Sequence, residues 1–326
     1  RNRTKHFIQK EEIMTLSTPK ILVIGSFITD LSFRVPHRPR RGETLIGTDF
    51  GIFTGGKGYN QATAARRMGA DVAMIGCLGK DIFSDLFFSS LQKDGIDYSR
   101  VIQDESIGTG VASPVIYDSE NDNSIIIVPR ANNNLLPHHL DQVEEFISKM
   151  DLIMLQLEIP LETCIRAAEI GKKHNIPILL NPAPARSLPS SFLQLVDIII
   201  PNEVEVSQLT GINVDDLESL QKAGSWLMEL GPQSVIITLG ERGAFLMDSE
   251  GCSLEKSFSV NVVDPTAAGD AFCGGFATIL MSGVSSREAM RYGNACGALA
   301  TTVLGAEPSL PNRDDVQTFL SKNNFR

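Results

Sequence analysis

Residues 21–25 read Ile-Leu-Val-Ile-Gly, and this stretch decides the fold of the chain. Four consecutive apolar residues before a glycine are typical of a strand that is buried on both faces of a parallel sheet. Short apolar runs of the same kind recur at residues 72–75, 152–155, 178–180, 198–200 and 235–238. Most of these runs are separated by segments with helical periodicity, at residues 60–68, 82–93, 161–174 and 217–230. The alternation predicts an α/β fold with a parallel sheet covered on both faces, which binds ligands at the carboxyl ends of its strands.

Four further segments have the pattern of strands but no helix between them. They lie at residues 31–35, 44–50, 110–117 and 124–128. We expect a small separate sheet that acts as a lid over the ligand site, although the same segments could instead extend an edge of the main sheet. The chain shows no internal repeat and no low-complexity linker. We therefore expect one domain over residues 20–326, with lid strands drawn from about 30–53 and 110–130.

The bulk properties exclude several classes of protein. A chain of 326 residues with 42% hydrophobic and 21% charged residues is typical of a globular protein. A net charge of −10 argues against general binding to nucleic acid or to anionic membranes. Residues 1–19 are expected to be an N-terminal tail, and they lack the apolar core of a secretory signal. Because the chain starts without Met and Met14 precedes the first strand, residues 1–13 could be native or an upstream extension.

The five cysteines are scattered along the chain and form no Cys-x-x-Cys pair. They are Cys77, Cys164, Cys252, Cys273 and Cys296. This spacing indicates neither a zinc site nor a disulfide framework, and it predicts small buried residues in a reducing compartment, hence the cytoplasm.

Residues 264–275 read Asp-Pro-Thr-Ala-Ala-Gly-Asp-Ala-Phe-Cys-Gly-Gly and carry the strongest functional signal. The alternation at 257–263 predicts a strand before them, and the small apolar residues at 271–281 predict a buried helix after them. The N–H groups of Ala267, Ala268 and Gly269 would open this helix, where unpaired donors and the helix dipole favour an anion. Asp270, the carboxylate beside them, is either a helix cap worth about 1 kcal/mol or a catalytic group.

Other candidate ligand residues follow predicted strands or open helices. Residues 54–60 read Thr-Gly-Gly-Lys-Gly-Tyr-Asn, which is not a Walker A loop and is either a flexible turn or a ligand loop that uses Lys57 and Asn60. Asp30 and Glu158 each follow a strand, where they could accept hydrogen bonds from hydroxyl groups or merely end the strand. Glu205 lies three residues after Asn202, a spacing that indicates a capping box or a carboxylate that organises hydrated Mg²⁺.

The order and spacing of these motifs together are specific. Gly-Gly-Lys-Gly-Tyr-Asn comes early, Asn-Pro-Ala-Pro-Ala-Arg at 181–186 and Pro-Asn-Glu at 201–203 lie centrally, and Ala-Ala-Gly-Asp comes late. From about Lys20 to its end the chain resembles the ribokinase family of carbohydrate kinases, the phosphofructokinase-B superfamily. The resemblance implies a Rossmann-like three-layer α/β/α core and a β-sheet lid that often forms a dimer contact. It also implies phosphorylation of the terminal (5-) hydroxyl of a pentose, ribose by default, with ATP, Mg²⁺ and a monovalent cation such as K⁺.

The resemblance also implies a role for individual residues. Asp270 would be the general base, and Ala267, Ala268 and Gly269 would form an anion hole. The sugar contacts would be Asp30, Gly56, Lys57, Asn60, Glu158 and Asp270. The nucleotide side would comprise Asn202, Glu205, Thr238, Gly240, Gly243 and Asn294. The monovalent-cation site would comprise Asp264, Thr266, Ala300, Val303, Gly305 and Ser309.

Three residues depart from the family pattern. Ile28 stands where ribokinases usually have Asn, and an apolar side chain cannot pair with a sugar hydroxyl, which favours 2-deoxyribose as an alternative substrate. Tyr59 is expected to narrow the pocket, and Pro265 replaces a usual Thr beside the cation site. A ketohexose or nucleoside kinase, and a binding protein without turnover, are further alternatives.

Overall fold

A computed structural model of the chain describes residues 18–120 and 122–323. The strands are β1 Lys20–Ile24, β2 Ile28–Val35, β3 Asp49–Gly55, β4 Asp71–Ile75, β5 Cys77–Gly79, β6 Ile102–Asp104, β7 Gly110–Tyr117, β8 Asp122–Val128, β9 Leu152–Leu155, β10 Ile178–Leu180, β11 Ile198–Ile199, β12 Ser234–Thr238, β13 Ala244–Asp248 and β14 Gly251–Glu255. The helices are α1 Lys57–Arg67, α2 Ile82–Asp94, α3 Pro137–Asp141, α4 Glu144–Ile147, α5 Leu161–His174, α6 Ser190–Leu193, α7 Glu203–Thr210, α8 Leu217–Glu229, α9 Ala268–Met281, α10 Ser286–Ala300 and α11 Arg313–Lys322.

The central sheet has the strand order β14-β13-β12-β11-β10-β9-β1-β4. It is parallel from β4 to β12, and β13 and β14 add an antiparallel edge. One hydrophobic cluster packs α1, α2 and α9–α11 against one face, and a second packs α5 and α8 against the other. The predicted three-layer α/β/α core is therefore confirmed, with a mixed rather than fully parallel sheet.

A second sheet has the order β3-β2-β7-β8 and shares no strand with the central one. These four strands therefore form a separate sheet and not an extension of the main sheet. The strand predicted at residues 44–50 is found at Asp49–Gly55 as β3. Because β2 begins at Ile28, its antiparallel partner β3 must extend to Gly55, which pairs with Ile28. Arg34 pairs with Asp49 at the other end, so residues 44–48 lie before the strand.

Two other predictions from the sequence are wrong. Residues 257–263 form no strand, because β14 ends at Glu255 and the alternating Val263 donates its N–H to the carbonyl of Thr301 instead of to a neighbouring strand. Cys252 is exposed, whereas the other four cysteines are buried, and all five are free thiols.

Of the predicted tail at residues 1–19, residues 1–17 lie outside the described part of the chain. Within 18–120 and 122–323, no helix combines the length and apolar character needed to cross a bilayer.

Close packing of α1 against α9 positions the ligand site. A Cβ on Gly274 would lie 2.5 Å from the Cβ of Ala64 and 2.7 Å from the backbone nitrogen of Ala65, so only glycine permits this approach. The first turns of the two helices consequently face each other at the carboxyl edge of the central sheet. This arrangement brings Asn60 and Asp270, which are 210 positions apart in sequence, into hydrogen-bond contact.

Candidate active site

Asp270 lies in the first turn of α9 and is 6% exposed. Its Oδ2 accepts a hydrogen bond from Asn60 Nδ2 at 2.9 Å, and its Oδ1 accepts one from Gln61 Nε2 at 3.0 Å. The N-cap position of α9 is Ala267, which has a left-handed backbone (φ 60°) and makes no side-chain cap. The carboxylate thus bonds to α1 and does not cap its own helix, which removes the cap interpretation of Asp270.

Two cavities meet at this carboxylate. The larger cavity, of about 320 Å³, lies between the four-stranded sheet and the central core. The smaller cavity, of about 200 Å³, lies beyond the start of α9. Lys57, Ala267 and Asp270 line both cavities. Two ligands, one in each cavity, would therefore approach each other at Asp270.

The predicted sugar contacts are brought together. All six line the larger cavity, namely Asp30, Gly56, Lys57, Asn60, Glu158 and Asp270. Glu158 is held by two donors, the Ser26 hydroxyl at 2.5 Å and the Lys57 backbone N–H at 2.8 Å. Ile28 is buried and also lines this cavity.

The larger cavity gathers carboxylates around one ammonium group. Burial, together with the neighbouring charges of Glu158, Asp264 and Asp270, raises the pKa of Asp30 to about 7. Burial also raises the pKa of Glu158. For Lys57, burial lowers the pKa, but the carboxylates of Asp270, Glu158 and Glu205 outweigh it, so the pKa is raised overall. Lys57 is therefore a cation at neutral pH that faces both cavities.

The predicted nucleotide residues divide into two groups. Asn202, Glu205 and Thr238 line the smaller cavity. The Glu205 carboxylate accepts from the Asn202 backbone at 2.9 Å while Asn202 Oδ1 accepts from the Glu205 N–H at 2.8 Å, so the capping box forms, and burial raises the pKa of Glu205. Gly240, Gly243 and Asn294 are not among the residues that line either cavity. Asn294 instead donates to the carbonyl of Glu255 at 3.4 Å, beside which Gly243 packs.

The start of α9 is open towards the smaller cavity. Ala267, Ala268 and Gly269 all line it, and a Cβ added at Gly269 would meet nothing within 4 Å. The Ala268 N–H makes a 3.3 Å hydrogen bond to the carbonyl of Pro265. Backbone N–H groups at a helix start attract anions.

The predicted cation residues lie around the turn that precedes α9. Asp264 accepts from the Thr266 N–H at 2.9 Å, from its hydroxyl at 2.6 Å and from the Gly305 N–H at 2.8 Å. Ala300 is the last residue of α10, Val303 follows it, and the Ser309 hydroxyl donates to the carbonyl of Ala306. Hydrogen bonds thus join three of the six predicted members.

Sequence reasoning missed a second layer of residues behind Asp270. Gln61, Gln156 and Asn181 are buried, and Gln61 forms a hydrogen bond with each of the other two. Gln61 directly follows the glycine motif and Asn181 opens the central Asn-Pro motif, so both had a sequence signal, whereas Gln156 had none. The interpretation of Tyr59 was wrong, because its ring packs in the core against Phe27 and Phe87 and does not line the larger cavity.

The raised pKa of Asp30 predicts a pH-dependent stability difference. A carboxyl whose pKa rises from 3.8 to about 7 on folding favours the native state while protonated, so its contribution to stability is lost as pH rises through that range. At pH 8 we expect Asp30→Asn to exceed the wild type in free energy of unfolding by roughly 1–4 kcal/mol, and the gain to shrink towards pH 4.5. Denaturant unfolding of both proteins between pH 4.5 and pH 8 measures the difference in free energy of unfolding and its dependence on pH. The matched change Asp49→Asn, at the exposed end of β3, should show a constant difference, and a constant difference for Asp30→Asn would contradict the prediction.

Comparison with known proteins places this site in a family. Residues 18–313 match the pfkB family carbohydrate kinases. A ribokinase of Haemophilus influenzae is 40% identical over 300 residues, covering 92% of this chain and 98% of that protein. A deoxyribokinase of Salmonella typhimurium is 39% identical over 304 residues, covering 93% and 99%. The structure of Arabidopsis thaliana ribokinase complexed with ribose and ATP superposes with a TM-score of 0.88 at 31% identity, covering 93% and 99%. The chain belongs to the pfkB family of carbohydrate kinases.

Proposed function

We propose that the chain transfers the terminal phosphoryl group of ATP to the 5-hydroxyl of a pentose, with ribose as the default substrate. The observation that carries this proposal is the position of Asp270 at the junction of two cavities, one lined by hydroxyl-binding groups and the other by the open start of a helix. The similarity to ribokinases over more than nine tenths of the chain supports ribose.

In this proposal the sugar occupies the larger cavity. Asp30 and Glu158 would accept hydrogen bonds from its hydroxyls, and Lys57 would donate. Asn60 Oδ1 is buried without a hydrogen-bond partner in the described part of the chain, so a sugar hydroxyl could donate to it. These contacts would fix the 5-hydroxyl beside Asp270.

The smaller cavity would hold the phosphates of ATP. Asp270 takes the proton as the 5-oxygen bonds to the terminal phosphorus, and the bond from that phosphorus to the bridging oxygen breaks so that ADP leaves. The N–H groups of Ala267, Ala268 and Gly269 and the ammonium of Lys57 would stabilise the charge on the transferred group. Asn202 and Thr238 line the phosphate side, and we place Gly240, Gly243 and Asn294 farther along the nucleotide.

Mg²⁺ and K⁺ would have only oxygen atoms as protein ligands. Glu205 is, besides Asp270, a buried carboxylate of the smaller cavity, and both its oxygens already bond to Asn202, which suits an outer-shell role towards hydrated Mg²⁺. Asp264, Thr266 and Ser309, with the carbonyl groups of Ala300, Val303 and Gly305, provide an oxygen set for K⁺. Pro265 does not prevent the Asp264–Thr266 turn, since both hydrogen bonds of that turn form.

We further propose that the four-stranded sheet is a lid over the sugar. Its side chains alternate, and one face lines the larger cavity through Asp30, Ala112 and Ile127, which are register neighbours on β2, β7 and β8. The opposite face leaves large apolar side chains exposed, at Phe33, Ile52, Ile126 and Val128. A second copy of the chain would cover this face in a homodimer. The free thiols support a cytoplasmic location.

Deoxyribose is the second candidate, and Ile28 is the observation that favours it. The side chain is buried in the wall of the larger cavity and offers no hydrogen bond to a hydroxyl. A deoxyribokinase is also among the similar proteins. A panel of sugars and nucleosides with ATP, Mg²⁺ and K⁺, each cation omitted in turn and activity scored by ADP release, tests substrate and cations together.

Replacing the proposed base tests catalysis directly. We expect Asp270→Ala to remain folded and to lose about 10²–10⁴ in kcat, the contribution of a general base. Circular dichroism and ADP release measure the two properties. Glu288→Ala, which removes an exposed acidic residue from the first turn of α10, is the control and should stay active. Near-normal turnover of Asp270→Ala would exclude the assignment.

Replacing Ile28 tests the choice of sugar. We expect Ile28→Asn to raise the ribose-to-deoxyribose ratio of kcat/KM by about 3- to 10-fold, because the new amide can bond to the additional hydroxyl. Steady-state kinetics with both sugars measure this ratio. The exposed Ile82 at the start of α2 provides the control Ile82→Asn, and an unchanged ratio for Ile28→Asn would contradict the role of this residue.

A charge on the exposed lid face tests the dimer. Ile126 is 66% exposed on β8, and we expect Ile126→Asp to convert a dimer to a monomer because a carboxylate would be buried in the interface. Sedimentation velocity measures the mass. Leu254→Asp, on the edge strand β14, should leave the dimer intact. A monomeric wild type, or a dimeric Ile126→Asp, would refute the interface.

A further inference from the structure

A chain of buried amides runs behind Asp270 along the carboxyl edge of the central sheet. Asn181 Nδ2 donates to the carbonyl of Ile200 at 2.8 Å, and Gln61 Nε2 donates to Asn181 Oδ1 at 3.1 Å. Gln156 Nε2 donates to Gln61 Oε1 at 2.6 Å. Gln156, Asn181 and Ile200 each follow the last residue of a strand, β9, β10 and β11, which are neighbours in the sheet.

The direction of this amide chain is determined by one backbone group. The Ile200 carbonyl can only accept, so it must face the NH₂ group of Asn181, and the Oδ1 of Asn181 then faces Gln61. Gln61 must in turn present its NH₂ group, whose two hydrogens are both used, one on Asn181 and one on Asp270 Oδ1 at 3.0 Å. If the side-chain amide of Gln61 were rotated by half a turn, its oxygen would face two acceptors, Asn181 Oδ1 and Asp270 Oδ1. A donor is therefore always aimed at Asp270.

Two hydrogen bonds, one to Asp270 and one to Asn181 of the smaller cavity, connect the site with Gln61. It is fully buried and is not among the residues that line either cavity, whereas its neighbour Asn60 lines the larger one. We propose that Gln61 is a positioning residue, which fixes the orientation of the Asp270 carboxylate and stabilises its ionised form through a hydrogen bond whose direction is set by the sheet edge. This proposal rests on the assignment of Asp270 as the base.

Several charged or titratable groups face the same carboxylate and must be kept constant. They are Lys57, Asp30, Glu158, Glu205 and Cys273. The Lys57 ammonium attracts the negative charge of the Asp270 carboxylate, and the three other carboxyl groups repel it when they are ionised. A change at Gln61 alters none of these residues, so a shift in the pH profile can be attributed to the lost amide.

The test compares Gln61→Met with the wild type over a pH series. Met keeps most of the volume and removes both donors. We expect kcat to fall about 10- to 100-fold, the scale of one hydrogen bond to a charged group, while the sugar KM changes less than about threefold. The acidic limb of the kcat profile should move to higher pH by about one unit or more. Gln61→Glu has the same size and, when ionised, no donor, and it should then shift the limb further because a second negative charge lies beside Asp270.

Thr63→Val is the matched control, since Thr63 is fully buried on the same helix and the side-chain donors to the Asp270 carboxylate are Asn60 and Gln61. It should keep the wild-type kcat, KM and pH profile. If Gln61→Met does not fold, Gln156→Met removes the hydrogen bond to Gln61 Oε1, and it should give a smaller loss of kcat with the limb shifted in the same direction.

Each outcome bears on one proposal. A wild-type pH profile in folded Gln61→Met, or a loss confined to KM, would overturn the positioning role while Asp270→Ala remained inactive. An active Asp270→Ala would instead overturn the catalytic assignment, whatever Gln61→Met shows.

Discussion

The hydrogen bonds between the Asp270 carboxylate and the amides of α1 are the interaction on which the rest of the site depends. A buried carboxylate is unfavourable unless donors replace water, and Asn60 and Gln61 supply one donor to each oxygen. The helices can come this close only because Gly274 has no side chain at their contact. The same approach places Lys57 between the two cavities. The packing of α1 against α9 and the electrostatics around Asp270 therefore both depend on the contact between these two helices, whose starts are far apart in sequence.

The fold was largely predictable because buried strands of the central sheet coincide with short apolar runs in the sequence. The apolar runs at residues 21–24, 152–155 and 178–180 are strands in the structure with nearly the predicted bounds. The failures share a cause as well. Residues 257–263 alternate like a strand but have no neighbouring strand with which to pair, and partner availability is a property of the assembled sheet. The shift of β3 likewise follows from its register with β2, which no local pattern contains.

The site residues that belong to sequence motifs were predictable. Those that come together only because the ends of several strands are neighbours in the sheet were not. Asp30, Lys57, Asn60 and Asp270 lie in or beside recognisable motifs, and all four line one cavity. Gln156 is an isolated polar residue after an apolar run, and its contact with Gln61 exists only because β9, β10 and β11 are neighbours. The placement of Gly243 and Asn294 beside β14 also required the tertiary structure, since Asn294 reaches the Glu255 carbonyl from α10.

The alternation of the four-stranded sheet has a consequence for how this protein can change during evolution. Asp30, Ala112 and Ile127 line a cavity, while Phe33, Ile52 and Ile126 point to the other side. Inserting or deleting one residue within β2, β7 or β8 would exchange the two sets along that strand. Length variation should therefore be confined to the connecting loops, and new sugar preferences should arise by substitution at every second position.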